Sequence, residues 1–398
     1  MSGLISVDEA LDRIMAARPA LGVEHALLAD ALGATLAEPV AAKVSRPSAA
    51  VSAMDGYAVR LEDVRKPEAR LRIIGEAPAG RPFDGRVEAG ETVRIFTGGE
   101  VPEGADHIVV QEDVARDGDY ITCAHGHEAA RHVRVAGLDF CAGAPLLASG
   151  TRIGAGEIAI AAAANHDRLP IRKRPTIALL ANGDELRPPG SDLGPGELVS
   201  SNSAGLGALA RSWGGAPIDL GIASDSVAAI RERIDQAEGA EIILPVGGAS
   251  VGDHDHMRAA FAEAGFETVF AGVAVKPGKP TWFARKGNQR VLGLPGNPAS
   301  AFVCAHLFLP ALMGVADGLQ TRRARLAEEL PANGARESFL RAQISFDAEA
   351  RLVARAPDNQ DSSLIHPFLD CGGLIRRAAN APPAAAGEPV ELVLIRSL

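Results

Sequence analysis

Lysine is scarce in this chain: six of its 40 basic residues are lysine, and two of the six, Lys276 and Lys279, fall within the five residues Lys276-Pro277-Gly278-Lys279-Pro280. A lysine is a compact point charge with rotating donors, suited to a tetrahedral oxyanion, and the flanking prolines limit the entropy lost in aiming two of them. Two glycine turns point the same way. Gly247-Gly248 follows the apolar run "EIILPV" and leads through Ser250 to Asp253 and Asp255, while Pro295-Gly296-Asn297-Pro298 opens a helix whose next polar residue is Ser300. Bare backbone N–H groups at such places approach anions closely. The acids beside them, Glu185, Asp225 and Asp255, would repel an anion unless a hard cation lay between, and Mg²⁺ binds through a few carboxylates plus phosphate oxygens. Plainer readings stand beside these. Ser224 or Asp225 also suits a helix cap, Pro298 an ordinary helix start, Asp184 and Asp253 ordinary turns, and the lysine loop a solvated turn.

These residues need a scaffold that gathers them. From Thr176 to Met313 short apolar runs ("TIALLA", "PIDLGI", "EIILPV", "TVFAGVAV", "RVLGL") alternate with helical stretches. That alternation predicts a doubly wound, mostly parallel α/β sheet, whose ligands bind beyond the carboxyl ends of its strands. The loops after all five runs are polar, and they carry the residues named above. Upstream, Ser6 and Glu9 start a helix closed by Pro19, a second helical stretch is expected over roughly 25–36, and 41–142 reads as β-rich with frequent turns. "SAMDGYAV" places Asp55 in a turn, and "RIFTGG" offers the Thr97 hydroxyl after a strand. "PIRKRP" at 170–175 is a joint, and "FLRAQISF", "RLVARA" and "PVELVLI" predict a small C-terminal β domain.

Composition narrows the function. The chain has 398 residues, 47% apolar and 23% charged, with a net charge of −10, which argues against nucleic acid or an anionic membrane as partner. Its four cysteines are scattered without a CxxC pair and no apolar run approaches a membrane span, so a cytoplasmic protein with reduced thiols is expected. The histidines of "CAHGHEAARH" and "DHDH" lack zinc spacing, and no GxSxG elbow is present.

In order and spacing, "SAMDGYAV", "RIFTGGEVPEGAD", "NGDEL", "LVSSNS", "GGASVGDHD", "KPGKP", "LGLPGNPASA" and "AGEPVELVL" resemble the molybdopterin molybdenumtransferases, which are also similar to the C-terminal region of gephyrin. The resemblance implies four domains: an elongated helical/extended domain over 1–44 and 141–170, an inserted β-rich domain over 45–140, a molybdopterin-binding α/β domain over 171–316, and a C-terminal β-barrel over 320–398. It implies a Mg²⁺-dependent enzyme that joins molybdate to adenylylated molybdopterin and releases AMP. A homodimer with a shared site and contacts with other cofactor-synthesis proteins are implied as well. By motif position it assigns Lys276, Lys279, Ser300, Arg341 and Ser362 to molybdate or phosphate, and Glu185, Asp225 and Asp255 to Mg²⁺ and catalysis. Asp55 would reach the site from the partner subunit. Thr97, Gly247, Gly248, Ser250, Pro295, Gly296, Asn297 and Pro298 would line the substrate. The chain departs from the family pattern at Val246, Asn182, Ser226 and Ala49–Val51, each near the expected site. A divergent member that only carries or scaffolds molybdopterin or molybdate is the alternative.

Overall fold

A computed structural model describes residues 3–248 and 256–396. By packing, the chain divides into Val23–Arg172 and a larger unit made of Met1–Gly22 with Lys173–Leu398.

The larger unit is centred on a six-stranded sheet in the order Ala216–Ala223, Thr176–Asn182, Ile242–Val246, Gln289–Gly293, Trp282–Lys286, Glu267–Phe270. The first four strands run parallel, and the fifth runs against both of its neighbours. Side chains alternate across a strand, so each apolar run feeds two cores. Ile177, Leu179, Ile242 and Leu244 pack on one face under helices Val7–Ala16, Asn202–Ser212 and Pro298–Leu312. Ala178, Leu180 and Ile243 pack on the other under Val227–Gln236 and His256–Glu263. The doubly wound expectation holds. "TVFAGVAV", however, is not one strand: Glu267–Phe270 stays in the sheet, while Val275–Lys276 leaves it to pair in parallel with Glu337–Phe346.

That pairing joins the sheet to a barrel. Glu337–Phe346, Leu352–Arg355, Thr321–Leu326, Pro389–Leu394 and Gly373–Arg377 pair in sequence, and the last returns to the first, closing a five-stranded ring. Closure removes the sheet edges and buries Ala342, Ala354, Ile375 and Leu392 inside. The helix Val7–Ala16, grouped above with residues 1–44, packs here instead: its 3.6-residue stripe of Val7, Ala10, Leu11 and Ile14 enters the core shared with Pro298–Leu312. Ser6 caps it by accepting the Glu9 N–H at 3.1 Å.

The unit Val23–Arg172 carries a six-stranded sheet ordered His107–Val110, Gly56–Val59, Glu91–Ile95, Arg70–Ala77, Tyr120–Cys123, Val114–Asp117. The helix expected over 25–36 is absent. Val23–Leu27 is a strand paired with Arg168–Arg172, followed by a 3₁₀ turn at Leu28–Asp30. Its run of Ala and Leu favours helix locally, but a partner strand about 145 residues away takes its backbone hydrogen bonds.

Two imidazoles are held neutral. His107 is fully buried with its ring 4.6 Å from that of His127, and burial, with His127 adding to it, pushes its pKa down to about 4. Burial pushes His306 down to about 4 as well. An unfolded histidine titrates near ~6.5, so between that pH and about 4 the unfolded chain binds more protons and the fold loses stability as pH falls. From pH ~7.5 to ~5 the loss is about 2 kcal/mol for His107 alone. Urea unfolding at both pH values should show it, with His107→Gln losing about half of the slope that the two histidines give together; a variant with the wild-type slope would refute the assignment.

Candidate functional site

Beyond the carboxyl ends of the parallel strands lies a cavity of about 700 Å³. Its walls come from several of the expected loops: Asn182 and Glu185 after the first strand, Gly247 and Gly248 after Ile242–Val246, Pro280 from the lysine loop, and Pro295 to Pro298 before the last helix. The stretch 198–202 and Ser363 of the barrel complete it. These last were missed because they follow no strand of the sheet, although "LVSSNS" belongs to the motif series. Ser250 and Asp255 lie outside the described residues.

The glycine turn is required by packing. Gly247 and Gly248 have φ of +97° and +64°, and a Cβ on either would stand 2.6 Å from an oxygen of Asn182, the backbone one for Gly247 and Oδ1 for Gly248. The Gly247 N–H already donates to the Leu294 carbonyl at 3.2 Å. At the start of helix Pro298–Leu312 the Ala299 N–H donates to the Ser362 carbonyl at 3.0 Å, and Asn297 Nδ2 donates to Ser362 Oγ at 2.9 Å. A barrel loop therefore occupies part of the helix terminus expected to receive an anion. Ser300 lies almost buried in that helix's first turn.

The acids group by pairs. Glu185 is exposed on the cavity wall with its carboxylate folded back over Gly183. Asp225 is outside the cavity lining; its backbone N–H donates to Asp184 Oδ1 at 3.1 Å, and Asp225 Oδ2 accepts from the Asp184 N–H at 3.5 Å. Ser226, not Asp225, caps helix Val227–Gln236, accepting the Ala229 N–H at 3.2 Å. Among the described residues no group of three or more His, Cys, Asp or Glu is placed to hold a metal ion.

Lys276 and Lys279 are exposed, off the cavity lining, and joined to it through Pro280. Arg341 is 2% exposed and its guanidinium donates to the carbonyls of Leu364 at 2.6 Å and Asp361 at 2.9 Å, with Gln360 Oε1 at 3.4 Å. Its charge thus shapes the loop that presents Ser362 and Ser363. In the other unit, Asp55 Oδ1 accepts both the Thr97 N–H at 2.7 Å and the Thr97 hydroxyl at 2.8 Å. Those bonds, backbone first, hold the Asp55 carboxyl below its ordinary range, so Thr97 braces an ionised, half-buried carboxylate.

Known proteins resemble this chain in sequence and fold. Residues 5–165 match the MoeA N-terminal region (domain I and II), 178–314 a "Probable molybdopterin binding domain", and 323–395 the MoeA C-terminal region (domain IV). A molybdopterin molybdenumtransferase of Nostoc sp. is 35% identical over 77% of this chain and 74% of its own, and that of Bacillus subtilis is 28% identical over 98% and 94%. The crystal structure of the molybdopterin biosynthesis moeA protein from Pyrococcus horikoshii superposes with a TM-score of 0.88 at 27% identity over the full length of both chains. No helix of the described residues is long and apolar enough to cross a membrane. With all three regions in order and a relative sharing a third of its residues across most of both lengths, this chain belongs to the molybdopterin molybdenumtransferase family.

Proposed function

We propose that the chain joins molybdate to adenylylated molybdopterin, inserting the metal into the dithiolene and releasing AMP. The observation that carries this is the cavity at the strand ends within 178–314, faced by Glu185 and bordered by a loop bearing two lysines without ion pairs to described residues. Both substrates are anions, so the ammonium groups of Lys276 and Lys279 draw them to the rim, and the barrel loop held by Arg341 sets Ser362 and Ser363 beside them. A Mg²⁺ ion at the cavity wall would take the Glu185 carboxylate, with phosphate oxygens and waters completing its shell. Mg²⁺ bound there would screen the pyrophosphate. The test is AMP release by purified protein given adenylylated molybdopterin, molybdate and Mg²⁺; a protein that binds both substrates yet releases none would be a carrier.

The reading includes a homodimer in which the partner subunit's Asp55 completes each site. Asp55→Asn and Glu185→Gln should each be inactive alone, whereas subunits mixed at random regain about a quarter of wild-type AMP release, since half of the dimers then hold one intact site of two. No recovery on mixing would place both carboxylates in one chain's site.

A further inference from the structure

Thr97 holds the Asp55 carboxylate, and a second set of bonds holds the backbone around it. The Gln111 N–H donates to the Asp55 carbonyl at 3.1 Å. The Gln111 side chain meets Arg94: Arg94 Nη2 donates to Gln111 Oε1 at 2.6 Å, and Arg94 Nη1 donates to the Gly56 carbonyl at 2.9 Å. Arg94 lies on the strand Glu91–Ile95, which leads directly to Thr97. The contacts therefore close a ring that runs from the Asp55 backbone through Gln111, Arg94 and Thr97 back to the Asp55 carboxylate.

Strand geometry puts Arg94 in that place. Tyr57 stands directly across from it in the antiparallel pair of Gly56–Val59 with Glu91–Ile95, and Phe96 follows it by two residues, so the three side chains share a face. The guanidinium carbon lies 5.0 Å from the Tyr57 ring centroid and 4.9 Å from that of Phe96, contacts that limit its freedom. A planar fork held in this way reaches two acceptors at once, which a lysine ammonium does less well. Those acceptors are a carbonyl and an amide, so the charge of Arg94 is left to act on the Asp55 carboxyl, which is lowered first by the Thr97 bonds and then by this cation. Arg94 is half-buried, and Gln111 and Thr97 are exposed, so the ring adds little to the core. Its contacts converge on one carboxylate.

We propose that Arg94 is a positioning residue for the reaction, holding the Asp55 carboxylate in its working orientation through Gly56, Gln111 and the strand end that carries Thr97. The inference rests on the reading of Asp55 given above and adds what aims that carboxylate.

The test is steady-state AMP release by full-length Arg94→Met, Arg94→Lys and Gln111→Leu beside Asp55→Asn. Arg94→Met should lower kcat about tenfold and leave KM for both substrates within about twofold, because a misaimed carboxylate costs rate while the lysine loop still draws the anions. Arg94→Lys keeps the charge without the fork and should recover about threefold of that loss. Gln111→Leu keeps the N–H bond to Asp55 and removes only the acceptor for Arg94; it should lower kcat about threefold, and it decides the matter should Arg94→Met not fold. Mixed with Glu185→Gln, Arg94→Met should rise to about a quarter of wild-type release, whereas mixed with Asp55→Asn it should stay below its own rate, since its lesion falls on the same side of each shared site as Asp55. A misfolded subunit would recover with neither. Wild-type kcat in Arg94→Met and Gln111→Leu while Asp55→Asn is inactive, a loss carried by KM, or recovery with Asp55→Asn overturns the inference and leaves the reading of Asp55 standing. Full activity of Asp55→Asn overturns that reading, and the inference with it.

Discussion

Lys279→Ala should lower molybdate-dependent AMP release about 100-fold while changing nucleotide binding less than about threefold. The ammonium groups of Lys276 and Lys279 have no ion pair with a described residue, so removing one breaks no salt bridge among the described residues. Their loop leaves a short strand, Val275–Lys276, that is hydrogen-bonded to barrel strand Glu337–Phe346, and its base is set by the Thr281 hydroxyl donating to the Gly278 carbonyl at 2.8 Å. The backbone is therefore placed before substrate arrives, which is the condition under which a charge favours a transition state at little reorganisation cost. Lys279→Arg should recover part of the loss, since it keeps the charge but offers a planar fork instead of a point. Steady-state kinetics with molybdate varied, beside equilibrium binding of AMP, separates the terms. Equal loss of both would mean that Lys279 serves the nucleotide as much as the oxyanion.

Gly278→Ala should cost about 3 kcal/mol of stability and most of the activity. Gly278 has φ of +119°, where L side chains are rare, and a Cβ there would stand 2.1 Å from Cys304 Sγ and 3.3 Å from Val275 Cγ1. Cys304 is wholly buried in helix Pro298–Leu312, and burial raises its thiol to about 12, so it acts as an inert wall. Two costs are superimposed, and a double variant separates them. Cys304→Ala added to Gly278→Ala should return the overpacking part, and the backbone part should remain. Chemical denaturation of the two single variants and the double one measures both. A Gly278→Ala protein as stable as wild type would show that the loop can move aside, which would undermine the claim that it is pre-aimed.

Much of the scaffold was legible because its signals are local. The alternation in Ile177–Leu180 divides one run between two cores, the stripe on Val7, Ala10, Leu11 and Ile14 marks one helix face, and Gly247–Gly248 announces a turn with positive φ. The misread stretch over 25–36 shows the limit: the strand Val23–Leu27 depends on Arg168–Arg172, and no window of a dozen residues contains both.

Residue types and turn chemistry, which sequence alone determines, were enough to name the lysine loop, Glu185 and the glycine turns as one region, because an exposed charge or a bare backbone keeps its character wherever the chain carries it. What each polar atom is free to do was decided only by tertiary structure. Arg341 spends its donors on carbonyls 20 and 23 residues ahead, Ser362 covers the helix start at Ala299, Thr97 clasps Asp55 across 42 residues, and Asn182 and Asn202 keep acceptors that no other described group fills. A hydrogen bond saturates its donor, and whether a group is left over for a ligand depends on neighbours that only the folded chain brings within about 3 Å.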